Sequence, residues 1–312
     1  MPSLTQLRYI VALHRTGHFG KAAVECHVSQ PTLSGQIARA EDELGVTLFD
    51  RRTKPVVATP PGLALVGLAQ EVLMSHERLV AAAKGSLQLS GPFSLGVIPT
   101  LAPYVLPWFL GPFSERCPEV ELTVLERPTE SILHELHGSR MDAGGLATPL
   151  GESSLANRVV FYDPFYVYAH PDSPLLAHDE VSTHDLDSDG LWLLEDGHCF
   201  RNQVVHLCGV ERRKLLSSVH FEAGSFETLR ALIERYGGFT LVPESFARLL
   251  PRELRLTRIR PFTAPVPTRE VGLVAHRSHW RTGILEAIAE VMREHAPRSL
   301  PRDLVGTVLP IQ

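Results

Sequence analysis

The stretch LTQLRYIVALHRTGHFGKAAVECHVSQPTLSGQIARAEDELGVTLFDR, residues 4–51, constrains the fold more than any other part of the chain. Its apolar residues recur at helical spacing three times, with short breaks between. Leu4, Leu7, Ile10, Val11 and Leu13 form the first stripe. Phe19, Ala22, Ala23 and Val24 form a shorter one after Gly17, and a tight turn near Cys26-His27-Val28 follows. Ser29 can cap a third helix that carries Pro31 in its first turn. Leu33, Ile37, Ala40 and Leu44 would be its buried face.

That packing leaves Gln30, Pro31, Thr32, Ser34 and Gly35 around the exposed start of the third helix. Together with Ser29 they make a small polar surface without bulk. A helix-turn-helix presents such a surface to base edges in the major groove. Gln36 and Arg39 would lie nearer the phosphates. VTLFDRRTKPVVAT reads as a wing of two short strands around Arg51, Arg52 and Lys54, placed to meet the nucleic-acid backbone. Charge agrees: residues 1–58 hold seven Lys and Arg against five acids, about +2, in a chain whose net charge is −5. A basic head on an acidic body points to an anionic partner for the head. The stripes alone also allow a plain three-helix packing unit.

Thr59-Pro60-Pro61 ends the wing, and residues 60–88 read as one helix of roughly 43 Å. Leu65, Leu68, Val72, Ser75, Leu79 and Ala82 are spaced as a coiled-coil seam. The seam could dimerise or pack on its own chain. GSLQLSG, from Gly85 to Gly91, is a candidate hinge.

Beyond residue 88 the pattern changes. FSLGVIP, VELTVLER, GLWLLE, LSSVHFEA and GGFTLVP are apolar runs of strand length, and helical patterns such as SILHELH and FETLRALIER alternate with them. Alternation of this kind argues an α/β architecture. No phosphate-cradling glycine fingerprint is present: GGFT and MDAGGLA lack the spacing. With 44% hydrophobic and 21% charged residues, no run of about 18 apolar residues and no signal-peptide layout, a cytoplasmic location is expected. In that compartment a lasting structural disulfide is disfavoured.

Two of the four cysteines stand nine positions apart in LLEDGHCFRNQVVHLC. CFRNQVVHLC reads as a short helix with Cys199 in its first turn. The helix start, adjacent His198 and nearby Arg201 would all favour a thiolate. Cys208 would end the helix, which puts the two Cα atoms roughly 13 Å apart. A disulfide needs about 4.4–6.8 Å. If the segment is helical when reduced, joining the cysteines must unravel it. The pair would then suit a two-state switch better than a static staple. Cys26 and Cys117 read as structural.

AAVECHVSQPTLSGQIARAEDELGVTLFDR closely resembles the winged helix-turn-helix of LysR-type transcriptional regulators. SGPFSLGVIPT, LLEDGHCFRNQVVHLC and SFETLRALIERYGGFTLVP resemble the peroxide-sensing OxyR branch of that family. The resemblance runs from residue 4 to about 295. It implies an N-terminal winged helix-turn-helix over 1–58, a dimerising linker helix over 59–88, and a two-lobed α/β regulatory domain over 89–300, like solute-binding proteins. The lobes would be 89–162 with 267–300, and 163–266, and residues 301–312 would be a tail. It implies that Cys199 attacks hydrogen peroxide and that Cys208 resolves the sulfenic acid to a disulfide. It implies a peroxide pocket of Thr100, Thr129 and His198, because a Thr hydroxyl both donates and accepts. Helix capping is the plainer role for either Thr. Arg201, His220 and Arg269 match supporting positions more loosely. The implied partners are double-stranded DNA with pseudo-palindromic promoter sites, further copies of the chain as a homodimer or homotetramer, hydrogen peroxide and RNA polymerase. No cofactor, metal or enzymatic activity is implied.

Three rival readings stay open at this point. His198, Cys199, His206 and Cys208 are zinc-type ligands, although their spacing is not that of a standard site. A small metabolite in the interlobe cleft could be the signal, with the cysteines incidental. A thiol peroxidase would have no use for the winged head. Two departures from the family also stand out. Ala143-Gly144-Gly145-Leu146 replaces a continuous aliphatic strand, and glycines there can mark a close backbone approach. The segment between Cys208 and His220 is long and basic, with Arg212, Arg213 and Lys214.

Overall fold

The computed structural model describes residues 1–83, 89–138, 140–186, 190–195, 199–208, 223–277, 279 and 281–311. The chain divides into two compact units, Met1–Gln88 and, apart from residues 278–281, Leu89–Gln312.

In the first unit, α1 (Leu4–Thr16), α2 (Phe19–Glu25) and α3 (Gln30–Leu44) follow one another. Their boundaries are set by local chemistry. Ser3 closes a capping box with Gln6, and Gly17 ends α1 in the left-handed conformation at φ 61°. Ser29 accepts from the Thr32 N–H, and Gly45 ends α3 at φ 67°. Ile10, Leu13, Ala22, Ala23, Leu33, Ile37, Ala40, Leu48 and Phe49 form the core. Four residues of the expected stripes lie outside it: Leu4 and Val11 are half-buried, Val24 is 76% exposed and Leu44 37%. Val24 and Leu44 stand in the last turns of their helices, rotated off the face the other helices cover. The wing is a two-residue ladder of β1 (Phe49–Asp50) and β2 (Val57–Ala58), antiparallel.

Helix α4 (Pro60–Ala83) follows. Val66 joins the head's core and Leu65 packs against it, whereas Leu68, Val72 and Leu79 stay 55%, 47% and 68% exposed. The expected seam is therefore split: its first residue serves the head, and Leu68, Val72 and Leu79 form an open apolar stripe. The expected helix beyond Ala83 and most of the expected hinge lie outside the described residues.

The second unit is built on β3 (Gly91–Val97), α5 (Ala102–Arg116), β4 (Val120–Glu126), α6 (Thr129–His137), β5 (Ala143–Thr148) and the 15-residue β6 (Leu155–Ala169). Then come α7 (Cys199–Cys208), α8 (Phe226–Tyr236), β7 (Phe239–Pro243), α9 (Glu244–Ala247), α10 (Arg252–Arg258), β8 (Ile259–Pro261), β9 (Pro267–His276), α11 (Thr282–His295) and β10 (Thr307–Val308). One sheet runs β4-β3-β5-β9-β6-β7, with β10 against β9 and β8 against β6.

Two cores share this sheet. Phe93, Leu95, Phe109, Ile132, Leu146, Phe161, Leu273 and Ile288 belong to the first, and Phe165, Val167, Phe200, Phe226, Ile233 and Leu241 to the second. Strand β6 runs through both, passing from the first at Phe161 to the second at Phe165. Along it Phe161, Asp163, Phe165 and Val167 alternate onto one buried face.

Gly144 sits mid-sheet, where an added Cβ would lie 2.5 Å from Ile132 Cγ2. Gly144 thus lets Ile132 of α6 approach the sheet closely. GLWLLE does not form a regular strand; Leu191 and Leu194 make single bridges to Phe239 and Ala223. Residues 301–311 do not hang free. Arg302 donates to the carbonyls of Arg293, Ala296, Pro297 and Leu300, closing the end of α11. Strand β10 pairs with β9, and Leu309 is buried in the second core.

Candidate functional site

Two sites emerge, one on each unit. On the head, α3 exposes Gln30, Pro31, Thr32, Gly35 and Arg39, with Ser34 and Gln36 half-buried behind them. Ser29 is committed to capping, and its Oγ also shares a 2.7 Å hydrogen bond with Thr32 Oγ1. The wing cations differ from expectation in one respect: two of the three are already paired. Arg51 reaches Glu41 at 2.6 Å and lies 5.6 Å over the Phe19 ring. Arg52 forks onto Asp50 with two bonds of 3.0 Å, which holds the Asp50 carboxyl below the usual carboxylate range. Lys54 is exposed. The Arg52–Asp50 pair lies at the surface, where such pairs contribute about 0–1 kcal/mol, whereas the Glu41 side chain is 11% exposed and also accepts from the N–H groups of Leu48 and Phe49, which holds the Arg51 pair more firmly.

The second site lies where the two cores of the larger unit meet. Strands β3 and β4 are parallel with Val97 opposite Glu126. Thr100 and Thr129 each stand three residues beyond those partners, so they share a level at the carboxyl ends of neighbouring strands. That edge is where ligands bind in open α/β sheets. Neither Thr caps its helix: Leu101 and Pro128 hold the cap positions, without side-chain cap bonds. Thr129 Oγ1 is buried with no hydrogen-bond partner among the described residues.

Thr100 is tied into a buried network. Asp163 and Arg269 face each other across the β6–β9 ladder, and both are 0% exposed. Arg269 donates to Asp163 Oδ2 from Nε at 3.0 Å and from Nη2 at 2.8 Å. It also donates to Thr100 Oγ1 at 3.2 Å, to the Thr100 carbonyl at 3.1 Å and to Ser245 Oγ at 3.3 Å. Ser245 donates to Asp163 from its N–H and its hydroxyl. A guanidinium only donates. Thr100 Oγ1 therefore accepts from Arg269, and its own proton is left to donate to a further acceptor.

Helix α7 closes the site. Cys199 is 4% exposed and packs in the first core, while the next residue, Phe200, packs in the second. The Arg269 guanidinium lies 5.3 Å over the Phe200 ring, which also meets Phe165 at 4.6 Å and Phe226 at 5.0 Å. Cys208 ends the helix, and burial pushes its thiol up to about 12. Both thiols are free. The segment is helical from one cysteine to the other, so the rough 13 Å separation applies. Arg201 is half-buried on α7. His198 and His220 lie outside the described residues, as does the basic segment 209–222.

Three residues of this site were not singled out in the sequence. Asp163 had a signal: a lone charge on the inward face of VVFYDPFYVYA needs a buried partner. Ser245 and the fully buried Gln203 had none, because their partners are distant in sequence.

Both units have counterparts among known proteins. Residues 4–63 match the bacterial regulatory helix-turn-helix protein, lysR family, and residues 86–297 match the LysR substrate binding domain. The hydrogen peroxide-inducible genes activator of Pectobacterium carotovorum is 36% identical over 300 residues, covering 94% of this chain and 96% of that protein. The DNA-binding transcriptional dual regulator OxyR of Escherichia coli K12 is 35% identical, covering 93% and 95%. Full-length OxyR of Pseudomonas aeruginosa, solved as a variant, superposes with a TM-score of 0.80 at 34% identity, covering 95% of this chain and 99% of that one. A hydrogen peroxide-bound OxyR mutant of Corynebacterium glutamicum gives a TM-score of 0.60 at 30% identity, covering 95% and 92%. The chain belongs to the LysR family of bacterial regulators, in its OxyR branch.

Proposed function

We propose that this chain is a cytoplasmic DNA-binding regulator that senses hydrogen peroxide through a reversible Cys199–Cys208 disulfide and controls oxidative-stress genes. The observation that carries the reading is the helix bounded by its two cysteines, with Cys199 buried and its neighbour Phe200 under the Arg269 guanidinium that holds Thr100.

The chemistry follows. The Cys199 thiolate attacks one oxygen of HOOH. The O–O bond breaks, Cys199 becomes a sulfenic acid, and the departing hydroxide takes a proton to leave as water. Thr100, held as a donor by Arg269, and the unpartnered hydroxyl of Thr129 bind the peroxide oxygens, with His198 as a third polar group. Cys208 is a poor nucleophile while buried, since its thiol stays protonated at neutral pH. Once α7 opens, Cys208 reaches water and ionises more readily. It then attacks the Cys199 sulfur, releases a second water and closes the disulfide. A cellular dithiol returns the two electrons.

The opened segment changes how two copies of the regulatory unit sit, and with them the paired heads. Open apolar residues on α4 (Leu68, Val72, Leu79) would bring two heads onto two half-sites, and a homotetramer onto a longer operator. Ser29 through Arg39 would meet the bases and adjacent phosphates, and Arg51, Arg52 and Lys54 the backbone, from where the regulator would engage RNA polymerase. The protein acts as a stoichiometric switch and not as a catalyst. Footprinting on a bound promoter tests the reading. Protection should change after about one equivalent of peroxide and revert with dithiothreitol. Unchanged protection, together with a response to a metabolite in Cys199→Ser, would overturn it.

A further inference from the structure

Helix α7 is tied from its middle to a segment more than a hundred residues away. The Gln203 side chain is 0% exposed, and its Nε2 donates to the Leu309 carbonyl at 3.0 Å in a buried bond. Asn202 Nδ2 donates to the Ile311 carbonyl at 3.3 Å. The segment so held is itself docked. Thr307 and Leu309 donate from their N–H groups to the carbonyls of Val266 and Thr268, at 3.0 Å each. Leu309 is buried in the second core, while Ile311 packs against the first. Residue 268 immediately precedes Arg269, so the strand lies beside the network that holds Thr100.

We propose that Gln203 is a positioning residue and that, with Asn202, it uses β10 and Leu309–Ile311 as a strap holding α7 helical and its two cysteines apart. The inference rests on the redox reading and adds to it a determinant of the second step, disulfide closure. The geometry gives the reason. Joining Cys199 to Cys208 requires the nine-residue span between them to shorten from roughly 13 Å to about 6 Å. Asn202 and Gln203 sit inside that span and cannot keep both carbonyls while it collapses. Their loss leaves the Leu309 carbonyl, otherwise buried, without its donor, and Gln203 Oε1 has no partner even in the reduced form. Closure and release of the strap are therefore one event. Strap contacts do not touch peroxide, so they leave the first step, oxidation of Cys199, as it is.

The test separates the two steps. In the full chain and in Asn202→Ala, Gln203→Leu and a variant ending at Leu304, sulfenic acid formation is followed by dimedone trapping. Disulfide closure is followed by quenched mass mapping. The account expects unchanged trapping and closure faster by about five-fold for Asn202→Ala, the worth of one hydrogen bond, and by more for the other two. A synthetic peptide of residues 305–312 should slow closure again in the shortened chain. A strap that only supported the fold would slow both steps together, or lower the yield of both, and the peptide would not separate them. Hydrogen exchange provides the arm that needs no peroxide. In the reduced variants the amides of residues 203–208 should exchange faster, whereas in the full chain oxidised with diamide the amides of Thr307 and Leu309 should lose protection. Equal closure rates and equal α7 exchange in the full chain and Asn202→Ala would overturn the strap while leaving the redox reading intact. Faster α7 exchange in the variants, with no cross-link in any protein under peroxide or diamide, would uphold the strap and overturn the redox reading.

Discussion

Helices α3 and α7 both carry residues of a proposed site in their first turn, yet they are held in opposite ways. Helix α3 is fixed by its own sequence. Ser29 caps it, Gly45 stops it, and Leu33, Ile37 and Ala40 anchor its 15 residues. Helix α7 has only ten residues, too few to persist alone in water. What holds it is distant: Phe200 between Phe165 and Phe226, Arg269 over the same ring, and Gln203 on Leu309. A reader of DNA must keep one shape, and a locally closed helix does so. A switch must give its shape up, and a helix held by tertiary contacts can be released by changing a few of them.

The largest effect that would break this comparison is at Arg269. Replacing it with alanine leaves Asp163 charged and unpaired in the interior, which should cost about 3–5 kcal/mol. Urea unfolding followed by probes in each unit should show the larger unit losing stability while the head keeps its midpoint. Equal losses in both would mean that the two are not separately held. Next is Gly144→Ala. Its Cβ would press on Ile132, whose side chain is 0% exposed, and overpacking of that kind costs about 1–3 kcal/mol. The same unfolding experiment reads it.

Ser29→Ala sharpens the other side of the comparison. Loss of the cap should cost the head about 1 kcal/mol and weaken DNA binding by fluorescence anisotropy, without changing peroxide-driven cross-linking. The smallest effect concerns pH. Burial raises the Cys208 thiol from its usual 9 to about 12 in the folded chain. Below pH 9 the thiol is protonated in both folded and unfolded forms, and the folded state keeps its full stability. Between about pH 9 and 12 the unfolded chain ionises first, so stability falls as pH rises. Iodoacetamide should alkylate Cys208 slowly in the native protein up to pH 10 and rapidly after unfolding. Fast native labelling near pH 8 would show that Cys208 is not held as described.

How far these features could be read from the sequence follows the same division. The head was legible nearly to the residue, because caps, turns and stripes act over three or four positions. Its largest misreadings, Val24 and Leu44, lie at helix ends where one stripe outruns the partner that covers it. The α/β pattern of the body was legible, as was the helical span from Cys199 to Cys208, whereas the approach to Gly144 comes from the Ile132 side chain and not from the backbone that the glycines suggested. Strands β6 and β9 were not picked out: β6 serves both cores and shows no single pattern of burial, and β9 is buried along nearly its whole length. Residues 301–312 read as a tail because β10 has two residues, and its pairing with β9 is a fact of tertiary structure. Gln203 and Ser245 were silent for the same reason: a polar residue on a short helix carries no sign of a partner about eighty or a hundred positions away.

The central claim is that α7 is intact while its cysteines are reduced and is remade when they join. Peptide mass mapping of the full chain, before and after about one equivalent of hydrogen peroxide, tests it most directly. A Cys199–Cys208 cross-link is expected within seconds to minutes, absent in Cys199→Ser and reversed by dithiothreitol. Two free thiols after that treatment would contradict it.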